Sequence, residues 1–206
     1  MEPSVVKAFL FDYDGVTTAG AKDILIAQRL AKNIDVSQED ATTWLQPIWS
    51  PLLSGRMTID QAWREIERCY GRSINTAQRD IWFLWDELRP LPEMIELVRT
   101  LKSKGYPVGL LSNVMAHSAD VIRRGGGYDE FDFLVLSCEV GSSKPDPQIY
   151  HVAIERLGHI LPEDIVFLDD RESNIVTANS LGIKTILVDS HAEAIHQTQA
   201  FIHIDT

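Results

Sequence analysis

Apolar and polar positions follow two different rhythms along this chain. From about residue 20 to residue 88 the rhythm is helical. Ile26, Leu30 and Ile34 recur every fourth residue, and Ile59, Trp63, Ile66 and Tyr70 share one helix face. Ser37-Gln38-Glu39-Asp40, Thr58 with Gln61, and Asn75 with Gln78 are capping patterns that open helices. Pro47, Pro51 and Gly55 are expected to divide the second helix into short pieces. The cap at Asn75 is expected to open a further helix carrying Ile81, Trp82, Leu84, Trp85 and Leu88.

Elsewhere, short apolar runs alternate with amphipathic helices. Strands are expected at residues 5–11, 108–111, 131–136, 165–168 and 183–188. Between them, helices begin at Pro92, run through Ala119 and Ile122, begin again at Pro147, and run through Ile175, Ala178 and Leu181; glycines end each of them. This alternation predicts a Rossmann-like, doubly wound parallel α/β sheet with right-handed crossovers. The sheet domain takes residues 1–18 and 89–206. An inserted helical bundle takes 19–88, closed by the boundary Arg89-Pro90-Leu91-Pro92. All five tryptophans (44, 49, 63, 82 and 85) fall in the insert, where their expected task is to fill the bundle core.

At 206 residues there is room for one main core and a small accessory unit. With 45% hydrophobic and 24% charged residues, the composition is that of an ordinary soluble protein. No apolar run approaches the roughly 20 residues needed to span a bilayer. The first residues lead into a strand without a basic leader, so a cytoplasmic location is expected. Cys69 and Cys138 are too few and too far apart for a disulfide framework. The net charge of −11 argues against nucleic-acid or anionic-membrane partners. Oligomeric state is left open.

Charge changes the picture at the strand ends. Asp12 and Asp14 follow the first strand, Ser112 and Asn113 the second, Lys144 the third, and Asp169 and Asp170 the fourth. Each has a plainer reading. Asp14-Gly15 resembles a type I′ hairpin turn, Ser112-Asn113 a turn, Lys144 a solvated lysine, and Asp169-Asp170 a helix cap. No alternating strand follows Gly15 to make a hairpin, however, and the fold brings all four strand ends to one edge. Carboxylates crowded there repel one another, and a hard divalent cation such as Mg²⁺ resolves the conflict. Lys144, hydroxyl and amide donors, and the main chain freed at Gly15 complete a cradle for a tetrahedral oxyanion. With no Ser–His pair in view, the nucleophile is a carboxylate, which can form an acyl phosphate.

Asp12-Tyr13-Asp14-Gly15-Val16, Leu111-Ser112-Asn113, Ser143-Lys144-Pro145-Asp146-Pro147, and Leu168-Asp169-Asp170 with Asn174 resemble, in order, the four motifs of the haloacid dehalogenase superfamily. The inserted bundle is similar to the helical cap of the branch containing sugar-phosphate phosphatases and the phosphatase domain of soluble epoxide hydrolase. The resemblance implies a phosphatase acting on a small phosphorylated metabolite. Asp12 would be the nucleophile and Asp14 the acid and base. Asp12, the Asp14 main-chain carbonyl and Asp170 would hold Mg²⁺, with Asp169 binding it directly or through water. Ser112, Asn113, Lys144 and Gly15 would grip the phosphoryl group, and Asn174 would orient Lys144 or a metal-bound water. A phosphomutase shares these motifs. A dehalogenase needs no acid at Asp14, and a silent binding protein needs none of the set. In the insert, Lys22 and Arg56 are candidate substrate contacts, against the plainer reading of Arg56 as solvated. His117 is expected to be exposed or capping.

Overall fold

A computed structural model describes residues 5–20, 24–82 and 85–202, so Lys22 and Leu84 lie outside the described residues. Strand β1 (Ala8–Phe11) is followed by helices α1 (Ile24–Ile34), α2 (Gln38–Leu53) and α3 (Ile59–Tyr70). Then come α4 (Pro92–Ser103), β2 (Val108–Ser112), α5 (Ala116–Arg124), β3 (Phe133–Leu136), the short α6 (Ser137–Val140) and α7 (Pro147–Arg156). The chain finishes with β4 (Ile165–Asp169), α8 (Glu172–Ser180), β5 (Lys184–Leu187) and α9 (His191–Gln199).

The five strands are parallel in the order β3-β2-β1-β4-β5. Strand side chains alternate between two apolar layers. Phe9, Phe11, Val166 and Leu168 face the side covered by α4 and α9, whereas Ala8, Leu10, Ile165 and Phe167 face Ile149, Tyr150 and Ala178 of α7 and α8. The chain builds outward from β1 to β2 and β3, then returns to start β4 on the other flank of β1. Connections leaving β1 and β4 therefore run in opposite directions, and a crevice opens at their carboxyl ends.

Helices α1 to α3 form a bundle through Ile26, Leu30, Ile34, Leu45, Ile48, Leu52, Trp63 and Ile66, continuous with one layer of the sheet core. Here α2 departs from expectation, running unbroken through Pro47 and Pro51. Its face Ala41, Leu45, Ile48, Leu52 is buried at a regular spacing. The carbonyls deprived of a donor by the prolines belong to Thr43 and Pro47, both exposed to water, so the prolines cost less than the packed face returns.

The helix expected after Asn75 is also absent. A single 3₁₀ turn (Thr76–Arg79) under the Asn75/Gln78 capping box and a second turn (Trp85–Glu87) occupy the described part of that stretch. Side chains of α1 supply the hydrogen bonds a helix would have made. Asn33 Nδ2 donates to the carbonyls of Gln78 and Asp80 (3.2 Å each), and Arg29 donates to that of Trp82 (3.2 Å). Ile81 and Trp82 are thereby turned into the bundle, Trp82 edge-on to Trp63.

Bundle and sheet meet at several places, among them the crossing segments and the end of α2. The crossing segments pair with one another, Leu91 N donating to Thr17 O (2.8 Å) beside an antiparallel bridge from Thr18 to Pro90. At the end of α2, Ser137 Oγ donates to Leu53 O (2.6 Å), and Gly55 sits so close to the Cys138 carbonyl that a Cβ would lie 2.3 Å from it. Among the described residues no helix is long and apolar enough to cross a membrane.

Candidate active site

Beyond β1 the chain makes a wide turn over Tyr13–Thr17, tied by Thr17 Oγ1 donating to Asp12 O (2.7 Å). Asp14 (φ −79°, ψ 126°) and Gly15 (φ 81°, ψ −13°) have the dihedrals of a type II turn rather than the type I′ hairpin alternative. The positive φ suits glycine, and so does the space. A Cβ on residue 15 would lie 2.4 Å from Asp170 Oδ2, so the missing side chain is what lets Asp170 approach β1.

Oxygens of Asp12, Asp169 and Asp170 lie within 4.8 Å of one another. Lys144 lies among them, its Nζ 2.8 Å from Asp12 Oδ1, 2.7 Å from Asp169 Oδ2 and 2.8 Å from Leu111 O, so its three protons all have acceptors. Asp169 is fully buried and held at both oxygens, with Oδ1 accepting from Arg171 N and Asn174 Nδ2 (2.8 Å each). Tyr13 N donates to Asp12 Oδ1 at 2.6 Å.

One ammonium does not balance three carboxylates. Burial, reinforced by Asp169 and Asp170 and opposed by Lys144, pushes Asp12 up to about 8. Asp170 is raised by burial and by Asp169. Burial works to lower Lys144, but Asp12 and Asp169 outweigh it and the net direction is up. This surplus negative charge on oxygen donors fits a hard divalent cation such as Mg²⁺.

The arrangement sits at the floor of a cleft between sheet and bundle, walled on the bundle side by Trp49 and Leu53. A sequence profile of the haloacid dehalogenase-like hydrolases matches residues 6–182. The chain belongs to this family. It is 30% identical over 161 residues to mouse bifunctional epoxide hydrolase 2, covering 73% of this chain and 27% of that one. It spans 11% to 27% of the length of this and other long relatives it matches. Over nearly its whole length it is similar to the D-ribitol-5-phosphate phosphatase of Bacteroides thetaiotaomicron, with 27% identity covering 92% of this chain and 95% of that one. The fold matches that of a haloacid dehalogenase family enzyme from the same organism, solved with magnesium and inorganic phosphate. There the TM-score is 0.73 and the identity 24%, covering 88% of this chain and 93% of that one.

Within this haloacid dehalogenase-like hydrolase, Asp12, Asp14, Ser112, Asn113, Lys144, Asp170 and Asn174 line the cleft as expected from sequence, with Asp169 and Gly15 beside it, and several have partners the sequence did not suggest. Ser112 is buried and lines the cleft. Asn113 also lines it, but clasps the Lys144 main chain, donating to Lys144 O and accepting from Lys144 N at 2.8 Å each. Asn174 grips Asp169 and makes no hydrogen bond to Lys144. The Gly15 N–H points to Thr18 Oγ1 (3.4 Å), so this residue's visible contribution is room for Asp170. Asp14 stands apart from the acidic trio and accepts from Thr18 Oγ1 at 3.1 Å. Arg56 and His117 are exposed. Burial lifts the Cys138 thiol to about 11, leaving it inert at neutral pH.

Thr18 and Ser118 were not singled out in the sequence. Thr18 follows another threonine without a distinguishing pattern. Ser118 carried only the weak signal of a small polar residue at a position the helix buries.

Proposed function

We propose that this hydrolase is a Mg²⁺-dependent phosphatase of small phosphomonoesters, sugar or other metabolite phosphates, working through an aspartyl-phosphate on Asp12. The observation that carries the reading is the meeting of Lys144 with Asp12, Asp169 and Asp170 at the crevice of the sheet. The phosphatases among its relatives support the same chemistry.

In the first step an Asp12 carboxylate oxygen attacks phosphorus, the ester P–O bond breaks, and Asp14 gives its proton to the departing alkoxide. In the second, Asp14 takes a proton from water as that water attacks phosphorus. The Asp12–phosphorus bond then breaks, releasing inorganic phosphate and restoring Asp12. Ser112 donates to a phosphoryl oxygen. Lys144 contributes a fixed positive charge beside the nucleophile. Asp12, Asp170 and the Asp14 main-chain carbonyl would hold Mg²⁺, with Asp169 binding it directly or supporting it through water. When bound, the cation neutralises the carboxylates and the charge that builds on the phosphoryl oxygens. Residues 19–88 act as a cap that excludes bulk water.

Asp14 favours phosphoryl transfer over dehalogenation, since halide leaves without a proton. The decisive test is phosphate release across a panel of metabolite phosphates with Mg²⁺ and with EDTA. Activity lost with EDTA and in Asp12→Asn supports the reading. Full activity in Asp12→Asn overturns it, and an isomerised sugar phosphate in place of free phosphate establishes a mutase.

A further inference from the structure

The cleft has two unlike walls. Around Asp12 it is polar and charged; facing that, Trp49, Leu53, Val114, Met115 and Ile122 are apolar. Ser118, in the first turn of α5, is the exception on this side. It is 4% exposed, lines the cleft, and its Oγ has no hydrogen-bond partner among the described residues. Trp82 Nε1, Tyr128 OH and Ser142 Oγ share that condition, but none of those residues lines the cleft.

A buried hydroxyl without a partner has lost its bonds to water and gained none in exchange, which is unfavourable. A helical serine ordinarily avoids this by bonding the carbonyl four residues back. For Ser118 that carbonyl is Val114 O, yet the Ser118 Oγ makes no hydrogen bond to it. Nor does any side chain cap the α5 N-terminus at Met115, so the positive end of the helix dipole favours an electronegative atom near Ser118.

We propose that Ser118 is a specificity residue whose Oγ hydrogen-bonds a hydroxyl on the alcohol portion of the substrate. This deepens the phosphatase reading and rests on it. The substrate class that fits is a short polyol or sugar monophosphate. Its phosphoryl group lies at Asp12, its C–H face lies on the apolar wall, and one hydroxyl meets Ser118. Plain alkyl phosphates of equal length leave the serine unpartnered and are selected against.

The test compares wild type with Ser118→Ala on two matched pairs, ribitol 5-phosphate with pentyl phosphate and glycerol 3-phosphate with propyl phosphate. Phosphate release with Mg²⁺ and Tm are the readouts. The expected result is that wild type prefers a polyol member and that the polyol-to-alkyl ratio of kcat/KM falls about tenfold in Ser118→Ala. Tm stays level or rises, because the lost hydroxyl had no bond to lose. An unchanged ratio, or a lowered Tm with both substrate kinds equally slowed, overturns the proposal by making Ser118 structural. Failure of the phosphatase reading looks different: wild type releases phosphate from none of the four compounds, and the Ser118 assignment falls with it.

Discussion

Lys144 Nζ lies 2.8 Å from Asp12 Oδ1 in the interior of the protein, the two side chains 1% and 9% exposed. Their pairing makes a buried carboxylate tolerable at a sheet edge already carrying Asp169 and Asp170. Lys144→Met removes the ammonium that pairs with Asp12 and Asp169 and leaves their charges uncompensated. The expected loss is about 3–5 kcal/mol in urea unfolding. Phosphate release is expected to vanish, and Mg²⁺ to return part of the stability without returning activity.

Stability should respond to pH through Asp12. Its pKa is raised by folding from the ordinary carboxylate range to about 8, mainly through burial. Below the unfolded value both states are protonated. As pH rises toward 8, the unfolded chain gives up its proton before the folded one, so stability declines. Thermal unfolding in EDTA is expected to show this decline for wild type and to show it weakened in Asp12→Asn. At pH 8 the variant should melt higher than wild type by several degrees, a gap that saturating Mg²⁺ closes by stabilising wild type.

Asn174 Nδ2 holds Asp169 Oδ1 at 2.8 Å, one layer behind the inferred cation. Asn174→Ala should raise the Mg²⁺ concentration for half-maximal activity about 10–100-fold. At saturating Mg²⁺ most of the kcat should return. A Mg²⁺ titration of activity checks both points.

Thr18 Oγ1 donates to Asp14 and accepts from the main-chain amide of Gly20 (3.2 Å). Thr18→Val keeps the shape and removes the hydroxyl that donates to Asp14. The expected effect is a fall in kcat of about tenfold or more, with KM nearly unchanged. Steady-state kinetics separate the two.

Gly15→Ala places a Cβ against Asp170 Oδ2 at a φ of 81°. Backbone strain of about 1–2 kcal/mol is expected, together with loss of Mg²⁺ binding in calorimetry as Asp170 is displaced.

Much of the sheet, and the meeting of polar residues at its strand ends, could be read from residue order. The apolar runs of β1, β2 and β4 are fully buried strands, and in a parallel sheet the carboxyl ends share an edge, so Asp12, Ser112, Lys144 and Asp169 could be brought together without knowing a single contact. The passages that escaped are those decided by distant partners. Pro47 and Pro51 sit in α2 because their exposed carbonyls turn to water while Leu45 and Ile48 pack inward. Residues 78–82 abandon the helix because Asn33 and Arg29 take up their carbonyls. Asn113 clasps the Lys144 backbone, a partnership spanning 31 positions that no local pattern announces.

The paired crossings at Thr17–Thr18 and Pro90–Leu91 carry one more consequence. Thr18 is both a rung of that joint and the support on which Asp14 rests. Any force that parts the two rungs therefore also shifts the support of Asp14, so the joint between bundle and sheet and the position of this carboxylate are coupled through a single side chain.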